Sequence, residues 1–202
     1  MKTKDHMLLA NRLLQSAQEK LPSRFAAGVR LGSILPDYNP FTYMRGIRRE
    51  HGLHGHNAEI TYQKISGLIS CLIQTGGIDF LHGWGLGTAL HYLADAFTYP
   101  HHDYYPGTLA DHVAYENVLH LAFAEYLSDD CVLTNQITAD FPAYLHDMLA
   151  LYRRCRKSEY SDCRFITHMC HIAFETVLRY QNKEEEISNE NSDYNRPVHA
   201  VR

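Results

Sequence analysis

Two pairs of a histidine with a carboxylate stand close together in the middle of the chain. His91 precedes Asp95 by four positions, and His112 precedes Glu116 by the same interval. Residues four apart on an α-helix lie one above the other on the same face, so each pair can reach a common cation. A further histidine, His101, lies between the pairs. Because imidazole nitrogen and carboxylate oxygen suit Zn²⁺, this spacing predicts a metal site.

The number of candidate ligands indicates more than one metal ion. Two pairs and an intervening histidine exceed what one tetrahedral zinc ion binds. Pro100 has no N–H to give to a helix, so the first helix should end just before it and His101 should lie on the turn. The neighbouring His102 could serve in place of His101.

Such pairs also occur by chance on solvated helix faces, and the residues around His91 and Asp95 decide between the two interpretations. The segment is apolar on nearly every side of the predicted helix, at Leu86, Ala89, Leu90, Leu93, Ala94 and Phe97. A helix that is apolar all round is typically buried. Buried histidine and aspartate must be paired or bind a metal, so metal binding is favoured.

The elements that position these residues are predicted to be helices. Apolar residues recur at helical spacing along most of the chain, and no strand pattern appears. In the first segment His6 falls on the apolar stripe, which ends at Pro22. The predicted helices cover residues 6–21, 24–31, 58–74, 79–97, 109–126, 135–152 and 162–181. The sequence therefore predicts an all-α, single-domain multi-helix bundle over residues 1–182.

Two segments lack this periodicity. Residues 32–55 contain Pro36, Pro40, several glycines and the basic residues Arg45, Arg48 and Arg49, which together predict a long ordered loop. These arginines could contact an anionic substrate, although a solvated loop face is the favoured interpretation. Residues 183–202 are polar and acidic, which predicts a disordered tail.

Composition narrows the class of protein. A formal net charge of −4 provides no basic field to hold a nucleic-acid backbone, so nucleic acid is disfavoured as a partner but not excluded. No apolar run reaches the roughly 20 residues that span a bilayer, and the N-terminus has no signal-type apolar core. Five scattered cysteines without a Cys-x-x-Cys pair predict reduced thiols and a cytoplasmic protein.

The order of the candidate ligands resembles the zinc-dependent phospholipase C family. In that family a His-x-x-x-Asp pair on a buried helix is followed by a proline and a histidine, and then by a His-x-x-x-Glu pair. The same order is found here in His91, Asp95, Pro100, His101, His112 and Glu116. The segment from Asp5-His6 to Asn11-Arg12 is similar to the first helix of the family, and Leu35-Pro36-Asp37-Tyr38 resembles a loop that holds an aspartate. The resemblance covers most of the first 120 residues.

The resemblance implies up to three zinc ions. One would be bound by a loop histidine with His91 and Asp95, and a second by His101, His112 and Glu116. The third would be bound by His6, with Asp95 as a bridge. Secreted members also use the amino terminus of the mature protein here. Because only five residues precede His6 and no cleavage signal is evident, the third site is expected to be incomplete, otherwise filled or empty.

Two further site residues follow from the resemblance. Asp37 is expected to orient or deprotonate the attacking water. The loop histidine is predicted to be His56, which lies just before a helix, while His54 and His51 remain alternatives.

The implied activity is that of a zinc-dependent phosphodiester hydrolase with two or three zinc ions, acting on a phospholipid or a similar small phosphodiester. A second hypothesis is a nuclease, because the single-strand-specific zinc nucleases have a related all-α scaffold. A third is a metal-binding protein that has lost turnover. Several tyrosines near the ligands could line a substrate pocket or hydrogen-bond to the ligands, namely Tyr92, Tyr99, Tyr104, Tyr105 and Tyr115.

Overall fold

The computed structural model describes residues 1–17, 20–38, 58–128 and 137–194. Within these ranges every regular element is helical and no strand occurs, which confirms the all-α prediction. The α-helices are α1 (Thr3–Ser16), α2 (Ser23–Tyr38), α3 (Ala58–Thr75), α4 (Phe80–Ala96), α5 (Leu109–Ser128), α6 (Phe141–Arg154) and α7 (Glu159–Tyr194). A 3₁₀ turn, Tyr99–His101, connects α4 to α5.

Helix α4 lies at the centre of the bundle. It packs against α2, α3 and α7, and its residues 89–96 are all buried. The helix begins where the carboxylate of Asp79 accepts a hydrogen bond from the backbone N–H of His82 at 3.0 Å, which satisfies one of the free donors of the first turn. The buried helix that the apolar sequence predicts is therefore present.

Helices α2 and α4 are in backbone contact through four glycines, Gly28 and Gly32 on α2 and Gly83 and Gly87 on α4. A Cβ atom at Gly87 would lie 2.1 Å from the carbonyl oxygen of Val29, and one at Gly28 would lie 2.3 Å from that of Phe80. No side chain fits at these positions unless the helices separate. This close approach brings the C-terminal half of α2 against His91.

We expect Gly87→Ala to destabilise the protein by about 3 kcal/mol, because the added methyl group overlaps a backbone oxygen that cannot move alone. Gly67→Ala on α3 is the matched control, since its Cβ would meet nothing within 4 Å. That substitution should stabilise the helix by roughly 1 kcal/mol. Urea unfolding of both variants measures the free energy of unfolding of each. Equal values for the two variants would contradict the close contact between α2 and α4.

The prediction of a loop from residue 32 is wrong for residues 32–38, which form the last turns of α2. Gly32, which the sequence predicts in the loop, lies at the contact with α4. Pro36 lies inside the helix near its end, where its missing N–H removes only one helical hydrogen bond. The rest of the predicted loop, including Arg45, Arg48 and Arg49, lies outside the described residues.

Several helix ends also differ from the predictions. Helix α1 ends at Ser16 and does not continue to residue 21. Helix α6 begins at Phe141, and not at 135, because Asp140 caps it by accepting a hydrogen bond from the N–H of Ala143 at 3.0 Å. Helix α7 starts at Glu159 and continues to Tyr194, past residue 182. A helical backbone alone does not define a packed unit, so the domain boundary at residue 182 remains a prediction. None of the described helices could cross a bilayer, given their lengths and apolar content.

Candidate metal centre

Three buried side chains meet where α1 crosses α4, and we call His6, His91 and Asp95 the buried triad. One possible ligand atom from each lies within 4.8 Å of those of the other two. The Nε2 atom of His6 is 3.3 Å from Oδ1 of Asp95, and Nε2 of His91 is 3.3 Å from Oδ2. The two imidazole rings stack with their centroids 4.0 Å apart. Each carboxylate oxygen of Asp95 thus faces one histidine of this triad.

A second group lies beside the first and is partly exposed, and we call His101, His112 and Glu116 the rim triad. His101 comes from the 3₁₀ turn, and the other two residues come from successive turns of α5. Oε1 of Glu116 is 3.3 Å from Nε2 of His101 and 3.1 Å from Nε2 of His112. These ligand atoms also lie within 4.8 Å of one another.

Asp95 and His101 join the two triads. The Nδ1 atom of His101 is 3.9 Å from Oδ2 of Asp95, while its Nε2 atom faces Glu116. The ring of His101 therefore lies between the two carboxylates. The six side chains form one continuous cluster of nitrogen and oxygen donors.

The protonation of the cluster suits a divalent cation. Burial, followed by the charge of His91, lowers the pKa of His6 to about 4, so its imidazole is neutral at neutral pH. The Nδ1 atom of His6 has no hydrogen-bond partner within the described part of the chain. Burial alone would raise the pKa of Glu116, but hydrogen bonds with His101 and His112 and the nearby amino terminus outweigh it and hold that pKa far below its usual range. Neutral imidazoles beside ionised carboxylates are a donor set that fits Zn²⁺.

Helix α2 orients the central histidine. The Nδ1 atom of His91 is 2.9 Å from the carbonyl oxygen of Ser33. A carbonyl can only accept, so Nδ1 carries a proton and donates it, and Nε2 is the ring nitrogen that faces Asp95. Because this contact joins residues 58 positions apart, no local pattern in the sequence indicated it.

The α-amino group of Met1 lies between the two triads. It is 3.1 Å from Oδ1 of Asp95, 2.8 Å from Oε1 of Glu116 and 3.0 Å from Nε2 of His101. Burial lowers the pKa of this amino group, but the charges of Asp95 and Glu116 outweigh burial and raise it to about 10. The ammonium group therefore balances the carboxylates. The amino group contacts Asp95, the residue expected to bridge to a third ion.

Asp37, the predicted catalytic residue, lies at the edge of the buried triad. Its Oδ1 atom is 3.6 Å from Nε2 of His91. Its Oδ2 atom accepts a hydrogen bond from the hydroxyl group of Thr3 at 2.7 Å. The carboxylate is thus held by α1, with one oxygen directed toward the cluster.

The structure brings together every predicted ligand that it describes. His102, the alternative to His101, is buried elsewhere and stacks on Tyr104 with ring centroids 4.7 Å apart. The loop candidates His56, His54 and His51 lie outside the described residues. Sequence reasoning missed Ser33 and a buried carboxylate near the site, Asp162, because their contacts join residues far apart in the chain.

Comparison with known proteins adds one match. The sequence fits the family described as zinc dependent phospholipase C over residues 5–191. That range includes both triads and Asp37. Searches of curated proteins and of solved structures give no match.

Proposed function

The chain belongs to the zinc-dependent phospholipase C family, and from this we propose that it hydrolyses a phosphodiester with zinc ions bound by the two triads. The observation that carries the proposal is the convergence of six predicted ligands from α1, α4, the 3₁₀ turn and α5 into adjacent groups. Chance pairs on separate helices would not be expected to meet in this way.

We assign one zinc ion to His91 and Asp95 with the predicted loop histidine, and one to the rim triad. The carboxylate of Asp95, which faces both groups, would be shared, and His6 together with the Met1 amino group could hold a third ion once that amino group has lost its proton. Zinc bound at such a site lowers the pKa of water toward neutrality and stabilises charge on a phosphodiester. The task of the protein is then to orient the water and the ester.

Asp37 is proposed to orient the attacking water and accept its proton. The hydrogen bond from Thr3 holds one oxygen, and the other lies 3.6 Å from Nε2 of His91. A carboxylate fixed beside the metal ligands can act as a general base. His91 is kept in the required tautomer by Ser33, so these contacts with α1 and α2 hold the reacting groups in place.

The substrate is proposed to be a phospholipid or a similar small phosphodiester, reaching the cluster from the rim triad. This triad is partly exposed, and the half-buried ring of Tyr105 lies 6.4 Å from that of His112 and 5.0 Å from that of Tyr99. Aromatic faces beside the ligands would pack against the organic part of the ester.

We also propose a cytoplasmic location. Among the described residues Cys71, Cys155, Cys163 and Cys170 are free. Burial raises the pKa of the Cys163 thiol to about 12, which keeps it protonated and unreactive. Fractionation of cells that express the full chain would test the location directly.

The function is tested by metal analysis followed by two activity assays. Protein purified without chelator should contain about two to three zinc ions per chain, as expected for a site of this type. It should release p-nitrophenol from p-nitrophenyl phosphocholine and leave single-stranded DNA intact. Cleavage of DNA alone would favour the nuclease hypothesis, and bound zinc without either activity would favour a metal-binding protein without turnover. Protein without zinc would overturn the proposal.

A further inference from the structure

A buried carboxylate lies behind the rim triad without touching any of its ligands. Asp162, in the first turn of α7, is 0% exposed. It accepts three hydrogen bonds, from the N–H of Tyr99 at 2.9 Å, the hydroxyl of Tyr115 at 2.8 Å and the hydroxyl of Tyr152 at 2.6 Å. These donors come from the 3₁₀ turn, α5 and α6.

One oxygen of Asp162 connects the two elements that carry the rim triad. Oδ2 accepts from both Tyr99 and Tyr115. Tyr99 begins the turn that holds His101, and Tyr115 directly precedes Glu116 on α5. A single atom therefore joins the backbone of the turn to a side chain of α5.

The hydrogen bond from the N–H of Tyr99 to Asp162 also caps the N-terminus of the 3₁₀ turn. The first N–H groups of a helical turn have no partner within it and need a cap. The preceding residue, Thr98, makes no capping bond, because its hydroxyl group donates to the carbonyl of Ala94. Asp162 supplies the cap from another helix.

Asp162 is itself held rigidly. Its other oxygen accepts from the hydroxyl of Tyr152, a buried ring that packs edge-on against Phe97. The first turn of α7 is closed by reciprocal bonds between Ser158 and Ser161. Burial raises the pKa of Asp162 only to about 6, so at neutral pH the group is ionised and its hydrogen bonds are charge-assisted.

We propose that Asp162 is a positioning residue of the rim triad, which holds His101 at the correct distance from His112 and Glu116 before zinc binds. This inference rests on the proposed function, since it assigns a second role to the same metal centre. Ligands that are already in place lose less conformational freedom on binding, so the metal binds more tightly. Replacing a residue that orients a metal ligand commonly lowers the affinity for the metal by about 10- to 100-fold.

The test compares variants that remove different hydrogen bonds from the same carboxylate. Tyr115→Phe removes a bond to a ligand-bearing helix, whereas Tyr152→Phe removes a bond to α6, which carries no ligand. Asp162→Ala removes all three bonds, and Asp162→Asn keeps an acceptor oxygen. Zinc affinity is measured by competition with a chromogenic chelator, which resolves successive binding steps. Melting of the metal-free protein reports any general loss of stability.

We expect Tyr115→Phe and Asp162→Ala to weaken one zinc-binding step by about 10- to 100-fold and to leave another unchanged. Tyr152→Phe should lower the melting temperature and weaken zinc binding much less than Tyr115→Phe, because the bonds from Asp162 to Tyr99 and Tyr115 remain. Asp162→Asn should restore most of the affinity lost in the alanine variant. Wild-type affinities in Tyr115→Phe would overturn the positioning role, as would an equal loss in Tyr152→Phe. Absence of zinc from the wild-type protein would instead overturn the proposed function, and the positioning role with it.

Discussion

Replacing Asp95 by asparagine is expected to remove at least one zinc ion per chain and to abolish hydrolysis. Asp95 is 2% exposed, and its two oxygens face His6, His91 and His101 at 3.3 to 3.9 Å. An asparagine would keep the shape but lose the charge that ionised ligands offer a divalent cation. Because the carboxylate is shared between the triads, no other ligand can compensate.

The same substitution should destabilise the metal-free protein. The buried ammonium group of Met1 would lose one of its two carboxylate partners, and breaking a buried ion pair costs about 3 to 5 kcal/mol. Urea unfolding after removal of zinc measures this cost. Asp147→Asn is the control, since that carboxylate is 82% exposed and its replacement should change neither stability nor zinc content.

The effect of Asp95→Asn on stability should depend on pH in a defined direction. Burial would raise the pKa of Asp95, but electrostatic interaction with the Met1 amino group and then with the neighbouring histidines outweighs burial and holds the pKa well below 3.8. A carboxylate with a lowered pKa stabilises the folded chain above its unfolded pKa, and that contribution is lost as the pH falls through the folded value. The difference between wild type and variant should therefore persist at neutral pH and decline in strong acid. Unchanged zinc content and stability at neutral pH would remove Asp95 from the cluster.

Replacing Asp37 by asparagine should separate catalysis from metal binding. We expect zinc content to remain near that of the wild type, while turnover falls by about 10²- to 10⁴-fold, the range associated with loss of a general base. The amide oxygen of asparagine can still accept the hydrogen bond from Thr3, so the position of the side chain is preserved. What is lost is the capacity to take a proton from water.

Zinc analysis and steady-state hydrolysis on the same preparation check this expectation. Thr3→Val serves as a comparison, because it removes the hydrogen bond and keeps the carboxylate. A smaller loss of turnover is expected for that variant, since Asp37 could still accept a proton from a less favourable position. Full activity in Asp37→Asn would take the residue out of the mechanism.

Local patterns in the sequence predicted the ligands because each pair lies within one helix. The interval between His91 and Asp95 places both on one face of α4 whatever the helix packs against. The apolar residues around them predicted burial for the same local reason. Helix ends were predicted less well, as at α2, where Gly32 and Pro36 indicated a loop but lie within the helix.

What the sequence determined by itself is the all-α class, six candidate ligands and the expectation of a zinc site. The tertiary structure decided which groups contact those ligands and the elements that carry them. His91 is oriented by Ser33, and the amino group of Met1 lies between two carboxylates. Asp162 connects the turn and the helix that carry the rim triad. The physical reason is the range of the interactions. A helical repeat acts over a few residues and can be read along the chain, whereas contacts between residues 47 to 115 positions apart form only when separate helices pack together, as α2 and α4 do through their glycines.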